Sequence, residues 1–424
     1  MGFLLIGLRL STPSAPSVSS LLHARRPNRL FPRIATCTSL PRKRERNMDA
    51  AAPLTGITVI ELGTSVAAPY GTMILGEMGA EVIKVEHPDG GDAARSWGPP
   101  TDDHISIAFE AFNRDKKSIT INLSDPDERE ILRRLIVEKA DVFLQNLRPG
   151  VVADLGLGPD ALLKENPRLI YCNIGAFGTE GEMSRLPGYD PLMQAFTGIC
   201  HVTGPEDGEP CRVGMPVIDM GTGMWAAMGI ITRLMQRKET GKGGEVDVAL
   251  YETAMAWMTM PMASVRATGK APGRYGTRGP GGLAPNRTFE AADGAMMITA
   301  GTNYHFRKLS EVLGHPEWAV DEKFATPRAR SLNEVEMSAN IGTVIATKPR
   351  AHWEKVLNAA NIPNAPLHTP VEAFNHPQAQ RSGMLQPGED GAGIQIALPL
   401  KLDGKRPRYR KRAPKLGEHN AQFK

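Results

Sequence analysis

The stretch "GITVIELGTSVAAPYG", residues 56–71, decides the predicted fold. Its first seven residues are mostly apolar and β-branched, which predicts a buried strand. The small residues of "GTSVAAPYG" then predict a turn that leads into a helix. Strand-like runs recur at "AEVIKVE" (80–86), "KSITINL" (117–123), "DVFLQNL" (141–147) and "LIYCNIG" (169–175), and Asp125 followed by Pro126 predicts a helix start between two of them. This alternation predicts an α/β domain with a largely parallel sheet.

Ligands of such sheets bind beyond the carboxyl ends of the strands, where turns bring backbone amides close to phosphates. The first turn lacks the GxGxxG pattern, so a nicotinamide-dependent oxidoreductase is a weak hypothesis. Lys116, Lys117 and Arg148 fall near strand ends and are candidates to hold a polyphosphate. Solvated surface charge is an equally good interpretation of each one taken singly.

One acid interrupts an otherwise apolar and small-residue stretch, "GMPVIDMGTGMWAAMGIITRLM" (214–235). Met215 to Ile218 resemble a strand, Asp219 follows, and a helical pattern then continues to Gly241. The ordinary interpretation of Asp219 is a helix N-cap. At the positive end of a helix we expect its carboxylate to stay ionised, and a held, ionised carboxylate is also a potential nucleophile.

Length and composition limit the kind of protein. A chain of 424 residues is long enough for two domains with substantial cores, and it has no apolar run of the ~20 residues that span a bilayer. The four cysteines show no CxxC pair and no framework spacing, which predicts a reducing compartment and no structural zinc. Because it lacks such an apolar run, we expect a protein that does not enter the membrane.

Charge is concentrated at the amino-terminal end. Residues 1–47 contain nine Arg and Lys against one acid, which leaves 41 basic and 45 acidic residues in 48–424. The mildly acidic body gives no reason to expect nucleic-acid binding. The Arg- and Ser-rich, acid-poor leader is typical of a mitochondrial transit peptide, and a disordered tail before an internal start at Met48 is the alternative.

Nine motifs, taken together and in order, identify a family. They are "LTGITVIELGTSVAAPYGTMILGEMGAEVIKVEHPDGGD", "FNRDKKSITINL", "ADVFLQNLRPG", "NPRLIYCNIGAFG", "PGYDPLMQAFTG", "VIDMGTGM", "TGKGGEVDVALYE", "NIPNAP" and "APKLGEHN". From about residue 53 to 420 the chain resembles the class III CoA-transferases, which include formyl-CoA transferase and carnitine CoA-transferase. "RSWGPP" and "HVTGPEDGEPCR" are most similar to the mitochondrial succinyl-CoA:glutarate CoA-transferase branch.

The resemblance implies a function for Asp219 that overrides the capping interpretation. The matching Asp of the family attacks an acyl-CoA thioester and forms first an aspartyl anhydride and then an aspartyl-CoA thioester. CoA is then a substrate, and no metal or redox cofactor is expected. The closest branch implies succinyl-CoA as donor and a dicarboxylic acid as acceptor.

Two alternatives remain open. The α-methylacyl-CoA racemases share the fold and use a His thirty residues before the Asp, where this chain has Tyr189, a poor general base at neutral pH. A non-catalytic acyl-CoA-binding protein would need the phosphate-binding turns but not Asp219. Asp190, beside Tyr189, begins an apolar helical run and is assigned a structural, capping function.

Further contacts are carried over from the family by position. Substrate-binding candidates of this kind are Ser65 and Val66 near the pantetheine, Asn146 and Leu147 near the nucleotide, and His87 where an Arg is common. Gly281 and Gly282 are candidates for a closing lid, and an ordinary surface turn is the alternative. Arg212, Arg278 and Arg287 are candidates to bind a distal acceptor carboxylate.

The family also implies the organisation of the chain. We expect a Rossmann-like large α/β domain that begins in 48–259, a smaller α+β domain in 260–370, and a return of 371–424 to the large domain. Members of the family form interlocked homodimers, and the same assembly is expected here.

Overall fold

The structure is a computed structural model that describes residues 51–100, 105–279, 282–388, 393–408 and 410–424. The predicted leader, residues 1–47, lies outside the described residues. Six parallel strands form the main sheet: β1 (Thr58–Leu62), β2 (Glu81–Glu86), β3 (Lys116–Thr120), β4 (Val142–Gln145), β5 (Ile170–Gly175) and β6 (Gly244–Ala249). Their order is β3-β2-β1-β4-β5-β6, so the predicted parallel α/β sheet is confirmed.

Helices connect these strands. In the first half of the chain they are α1 (Ala67–Glu77), α2 (Ile107–Asn113), α3 (Pro126–Lys139), α4 (Val151–Asp154), α5 (Pro159–Glu165), α6 (Asp190–Phe196), α7 (Ile199–Val202), α8 (Val217–Thr240), α9 (Leu250–Trp257) and α10 (Thr259–Thr268). Asp125 caps α3 as predicted, because its side chain accepts from the amides of Asp127 and Glu128. Ala93–Ser96 forms a short 3-10 helix.

Both faces of the main sheet are covered by apolar layers. Strand residues such as Val59 and Leu144 face a core that α1 and α8 complete, and Ile60 and Phe143 face a second core with α3 and α5. Helices α1 and α8 touch backbone to backbone at Gly71 and Gly223. A Cβ on Gly223 would lie 2.6 Å from Ala67 O, so only glycine permits this contact. The contact draws the beginning of α8 towards the turn that precedes α1.

A second sheet has its own core. Strands β7 (Asn286–Ala291), β8 (Gly294–Thr299) and β9 (Asn364–Pro366) are antiparallel. The helices of this part are α11 (Asn303–Val312), α12 (Pro327–Leu332), α13 (Glu334–Ile345) and α14 (Arg350–Ala359), with a 3-10 helix at Pro316–Ala319. They pack on β7 and β8 around Phe289, Phe306 and Trp353.

The last part of the chain runs back to β3. It contains α15 (Pro370–Asn375), α16 (Pro377–Ser382), a hairpin of β10 (Leu385–Pro387) and β11 (Ile394–Ile396), and α17 (Asn420–Phe423). The amide of His419 donates to Ser118 O, and Asn420 Oδ1 accepts from the amide of Thr120. The exact domain boundaries 48–259, 260–370 and 371–424 stay predictions. Among the described residues no helix is both long and apolar enough to cross a membrane.

Candidate active site at the switch point of the sheet

The order of the main sheet predicts where a ligand binds. From β1 the chain proceeds outward to β2 and β3 and then returns to the other side of β1 with β4. The carboxyl ends of β1 and β4 therefore border the topological switch point, which is the usual ligand site of open α/β sheets. A cavity of about 260 Å³ lies there. Its lining comprises Thr64, Ser65, Ala67, Asn146, Leu147, Arg148, Pro149, Ile174, Gly175, Ala176, Leu186, Pro187, Gly188, Tyr189, Asp219 and Leu250.

Asp219 contributes a carboxylate to this cavity and is the acidic residue among its described lining residues. It lies in the first turn of α8, which begins at Val217. The strand predicted for Met215 to Ile218 is therefore wrong, because the helix starts before the acid. The N-cap position belongs to Pro216, so Asp219 is not the cap.

Burial, and secondarily the nearby charge of Asp190, raise the pKa of Asp219 from 3.8 to about 7. The expectation that a helix N-terminus alone keeps this carboxylate fully ionised is thus wrong. A carboxylate with a pKa near neutrality holds a large ionised fraction at pH 7 while it lies poorly solvated beside the cavity. That state suits a nucleophile better than a fully hydrated carboxylate.

Asp190 caps α8 from a different helix. One oxygen, Oδ2, accepts from the amides of Ile218 at 2.7 Å and Asp219 at 3.2 Å. The other oxygen accepts from Gln194 Nε2 at 2.6 Å, and Gln194 Oε1 in turn accepts from the amide of Val213. Sequence reasoning gave Asp190 a capping function for its own helix, α6. The capped helix is instead α8, some 28 residues further along the chain, so Asp190 fixes the backbone of Asp219.

The turn after β1 forms another part of the cavity wall. Thr64 and Ser65 line the cavity, whereas Val66 is buried in front of α1 and is not part of the lining. Ser65 has φ +69°, a left-handed conformation that costs a non-glycine residue free energy. Its amide donates to Asp92 Oδ1 at 2.9 Å.

Asn146 and Leu147 follow β4 and line the same cavity, so the structure brings them together with Ser65 and Asp219. The carboxamide of Asn146 bonds to both backbone groups of Thr64: its Oδ1 accepts from Thr64 N and its Nδ2 donates to Thr64 O, each at 3.0 Å. Asn146 therefore links the β1 and β4 turns across the switch point. The exposed Arg148 adds a positive charge at the rim.

Several other sequence candidates lie outside this lining. His87 is exposed, and its Nδ1 accepts from the amide of Asp89 at 3.1 Å. Arg212 is exposed and lines none of the described part of the cavity. Gly282 lines a different cavity, of about 200 Å³, together with Arg278 and Glu334. Gly281 lies outside the described residues, so the lid stays a prediction.

The other cationic residues that the sequence suggested as binding candidates lie close to acidic side chains. Arg278 binds Glu206 at 2.6 Å and Glu334 at 2.9 Å. Lys116 is fully buried on Glu61, which excludes it from binding a polyphosphate in this conformation, and Lys117 binds Glu81 at 2.6 Å. Arg287 approaches Glu334 at 3.9 Å. In the described part of the chain, no group of three or more His, Cys, Asp or Glu is placed to hold a metal ion.

A family model with the description CoA-transferase family III matches residues 54–420. The chain belongs to CoA-transferase family III. The family predicted from the nine motifs is confirmed, and the protein is an enzyme of this class, whose substrates are acyl-CoA thioesters and acids.

Two curated relatives cover nearly the whole transferase. It is 38% identical over 374 residues to the acetyl-CoA:oxalate CoA-transferase of Acetobacter aceti, and the match covers 88% of this chain and 95% of the relative. It is 35% identical over 378 residues to the succinyl-CoA:glutarate CoA-transferase of Mus musculus, and the match covers 88% of this chain and 86% of the relative. The crystal structure of a CAIB/BAIF family protein from Brucella suis matches with a TM-score of 0.79 and 34% identity, over 88% of this chain and 98% of that chain.

Proposed function

We propose that this transferase moves CoA from an acyl-CoA thioester to a free dicarboxylic acid by covalent catalysis at Asp219. The observation that carries the proposal is the position of Asp219, a largely desolvated carboxylate in the wall of a cavity at the switch point. Both named relatives use a dicarboxylate, oxalate in one case and glutarate in the other. Succinyl-CoA is the donor we favour, and Arg148 at the rim is placed to attract anions.

The reaction balances without water. An oxygen of Asp219 attacks the thioester carbonyl and displaces CoA thiolate, which leaves a mixed anhydride between Asp219 and the donor acid. The thiolate attacks the Asp219 carbonyl, releases the donor acid and forms an aspartyl-CoA thioester. The acceptor carboxylate displaces the thiolate again, and the thiolate finally attacks the acceptor carbonyl to give the new acyl-CoA and free Asp219.

The protein positions the Asp219 carboxylate and limits the access of water to it. Asp190 holds the backbone of Asp219 through two amides, and Asn146 joins the turns on either side of the switch point. An anhydride exposed to bulk water would hydrolyse, so a small cavity at the reacting carboxylate preserves the thioester energy. Ionised Asp219 is the reactive form, and its raised pKa places the loss of this form near neutral pH.

The test uses the purified full-length chain with succinyl-CoA or acetyl-CoA and a panel of acids: oxalate, succinate, glutarate and butyrate. Mass spectrometry identifies the thioesters formed. We expect new dicarboxylyl-CoA products that disappear in Asp219→Ala and persist in a control, Asp154→Ala, which changes an exposed acid outside the cavity lining. Transfer to butyrate alone would contradict the dicarboxylate assignment, and full activity of Asp219→Ala would contradict the mechanism.

The racemase and the binding protein predict other outcomes. A racemase needs a base on each side of carbon 2, and the described lining residues include Tyr189 but no His. Incorporation of solvent deuterium at carbon 2 of a branched acyl-CoA, without any transfer, would favour the racemase. Tight acyl-CoA binding without turnover, unchanged in Asp219→Ala, would favour the binding protein.

We also infer that the enzyme works as a homodimer. The outer face of α8 exposes Met224, Trp225 and Met228, and it borders a cavity of about 670 Å³ along the edge strand β6. An apolar face beside an unpaired strand edge is typical of a protein interface. Trp225→Glu is expected to prevent assembly of newly made chains, so that the mass measured by light scattering is that of one chain. Val335→Glu, at an exposed apolar position on α13 that does not line this cavity, is the control and should leave the mass unchanged.

The leader supports a mitochondrial location for the enzyme, because residues 1–47 combine nine basic residues with a single acid. A fluorescent protein fused behind residues 1–47 should enter mitochondria, and a chain that starts at Met48 should not. Diffuse fluorescence from both would contradict this part of the proposal.

A further inference from the structure

The turn Gly63–Ser65 is held by side chains from distant segments. Gly63 O accepts from Lys84 Nζ at 2.7 Å, and the amide of Ser65 donates to Asp92 Oδ1 at 2.9 Å. Lys84 lies in the middle of β2, and Asp92 follows it in the loop before the first 3-10 helix. One end of the turn, Gly63, therefore depends on Lys84, and its other end, Ser65 in the cavity wall, depends on Asp92; neither Lys84 nor Asp92 lines the cavity.

Lys84 and Asp92 are also paired with each other. Their charged atoms, Nζ and Oδ2, lie 2.8 Å apart, and both side chains are fully buried. Lys84 completes its three contacts at Glu61 Oε1, 2.8 Å away, and Asp92 Oδ1 also accepts from the amide of Ala94. The carbonyl of Gly63 and the amide of Ser65 are thus tied to a single buried ion pair.

A buried ion pair is an expensive way to stabilise a fold. Desolvation of the two charges offsets most of their attraction, and apolar replacements are often as stable. Hydrogen bonds to charged groups are, however, shorter and stronger than neutral ones. They suit a place where the backbone must be kept in a conformation that it does not prefer.

Ser65 is such a place. With φ at +69° it is one of few non-glycine residues of the described chain in the left-handed region, and its position is in the wall of the Asp219 cavity. Strained residues of this kind persist only where their surroundings enforce them, and they concentrate at functional sites. Among the described residues the Ser65 hydroxyl has no hydrogen-bond partner, which leaves it free to donate into the cavity.

We propose that Asp92, anchored by Lys84, is a positioning residue that keeps the Ser65 hydroxyl directed at the reacting acyl group beside Asp219. The proposal rests on the proposed CoA-transfer function, since it assigns Ser65 a hydrogen bond to the thioester or carboxylate that reacts there. Asp92 itself touches no substrate. Its effect reaches the chemistry through the backbone of Ser65.

The fold supplies a control for Asp92. Asp92 holds the turn that follows the carboxyl end of β1, and Asp141 holds the amino end of the same strand. Asp141 Oδ2 accepts from the amide of Thr58, the first residue of β1, at 2.9 Å, and its Oδ1 binds Arg237 at 2.7 Å. Asp141 thus combines an amide contact with a cation contact, as Asp92 does, but at the amino end of β1 and away from the carboxyl end where the cavity lies. A structural contribution common to both aspartates appears in both variants.

Asp92→Asn and Asp141→Asn are compared in the full-length enzyme. In each variant the carboxamide keeps one acceptor oxygen and replaces the other with an N–H donor, which opposes either the cation or the backbone amide, so the hold on the backbone amide weakens. We expect Asp92→Asn to lower kcat by ~10- to 100-fold, as small misplacements of reacting groups do, with a smaller change in KM. Asp141→Asn should keep kcat within about twofold of the parent enzyme.

Ser65→Ala distinguishes positioning from general loosening of the site. If Asp92 acts through the Ser65 hydroxyl, Ser65→Ala lowers kcat by a similar factor, and adding Asp92→Asn to it lowers kcat little further. Independent, multiplicative effects of the two changes would overturn the proposal. So would equal losses of kcat in Asp92→Asn and Asp141→Asn.

Amide hydrogen exchange keeps the inference testable apart from the chemistry. Asp92→Asn should speed exchange at Ser65 and leave Thr58 protected, and Asp141→Asn should do the reverse. The parent enzyme alone decides the proposed function, by transferring CoA or not. If it transfers none, unchanged exchange at Ser65 in Asp92→Asn still overturns the inference.

Discussion

Two buried carboxylates hold two walls of the candidate site, the Ser65 wall and the Asp219 wall, and they do so in the same way. Asp92 accepts from the amides of Ser65 and Ala94, and Asp190 accepts from the amides of Ile218 and Asp219. Each comes from a segment remote from the turn it holds. In both cases a backbone position in the wall is fixed by a side chain that does not line the cavity.

The difference lies in what neutralises each carboxylate. Asp92 contacts the ammonium of Lys84, whereas the second oxygen of Asp190 meets the neutral amide of Gln194. Asp190 therefore keeps its negative charge uncompensated beside Asp219, where it adds to the effect of burial and raises the pKa of that carboxyl. In the cavity wall, Asp92 thus fixes only the backbone of Ser65. Asp190 fixes the backbone of Asp219 and also raises the proton affinity of its carboxyl.

Removing the cation that compensates Asp92 should have the largest effect. Lys84→Met leaves Glu61 and Asp92 buried without their shared partner, and we expect a loss of about 3–5 kcal/mol in the free energy of unfolding. Burial opposes ionisation of Glu61, yet Lys116 and Lys84 hold its pKa at about 2, so the carboxylate stays charged and its loss of a partner is costly. Urea denaturation measures the change.

Lys117→Met is the control for this experiment. Lys117 lies on the neighbouring strand and pairs with Glu81, but both side chains are partly exposed. Surface pairs of this kind contribute less than about 1 kcal/mol. A comparable loss in the free energy of unfolding in both lysine variants would show that the buried pairing of Lys84 with Asp92 contributes no more to stability than a surface ion pair.

Replacing Asp219, the proposed nucleophile, should stabilise the protein. The folded pKa of Asp219, about 7, lies above its ordinary value of 3.8, so ionisation of Asp219 above pH 7 destabilises the folded state. Asp219→Asn lacks this cost. We expect it to raise the free energy of unfolding at pH 8 by about 1–3 kcal/mol.

The pH dependence checks the sign of this effect. Between pH 3.8 and about 7 the folded enzyme binds the Asp219 proton more tightly than the unfolded chain, so the advantage of Asp219→Asn should shrink as pH falls through this window. Melting temperatures at pH 5 and pH 8 measure it. An advantage that is constant or grows towards pH 5 would contradict the raised pKa.

Much of the site was predictable because its signals are local or belong to the family. The alternation of strands and helices gave the sheet, and the order of nine motifs gave the family and, with it, the interpretation of Asp219 as nucleophile. Lys84 and Glu61 also leave a signal, since each is a charge inside an apolar strand, "EVIKVE" and "TVIEL". A pair of opposite buried charges on adjacent strands indicates an internal ion pair.

Other features depend on contacts between distant segments. Nothing in residues 187–198 indicates that Asp190 caps α8, because the cap depends on how α6 meets α8 in space. The strand predicted before Asp219 was wrong for the same reason. "MPVI" is apolar and prefers an extended conformation, but Asp190 accepts from the amides of Ile218 and Asp219 and so stabilises a helix that starts at Val217. His87 was carried over by position alone and Arg212 was chosen by residue type alone, and the structure places both outside the cavity lining.

Removing the charge of Asp190 should separate its two effects. In Asp190→Asn the negative charge beside Asp219 is gone, so the pKa of Asp219 should fall towards its ordinary value while burial still raises it. The acid limb of the kcat/KM profile reports this group in the free enzyme and should move to lower pH. A moderate fall in the plateau is expected from the weakened hold on the Asp219 amide.

Asp92→Asn is the natural comparison for that profile. Its carboxylate holds the other wall, and burial and Asp190 account for the raised pKa of Asp219. Asp92→Asn should therefore lower the plateau and leave the acid limb in place. An acid limb that moves in Asp92→Asn, or that stays fixed in Asp190→Asn, would erase the contrast between the two carboxylates.

The smallest effect on stability is expected at Ser65. Relief of its left-handed backbone by Ser65→Gly is worth about 1 kcal/mol, and the greater freedom of glycine in the unfolded chain removes a similar amount. Ser65→Gly should therefore unfold within ~1 kcal/mol of the parent enzyme, and Ser65→Ala, which keeps the strain, should be the less stable of the two. Both lack the hydroxyl, so both should lose kcat to a similar extent. A glycine variant with full activity would mean that the conformation of this turn, and not the hydroxyl it presents, is what the Lys84–Asp92 pair maintains.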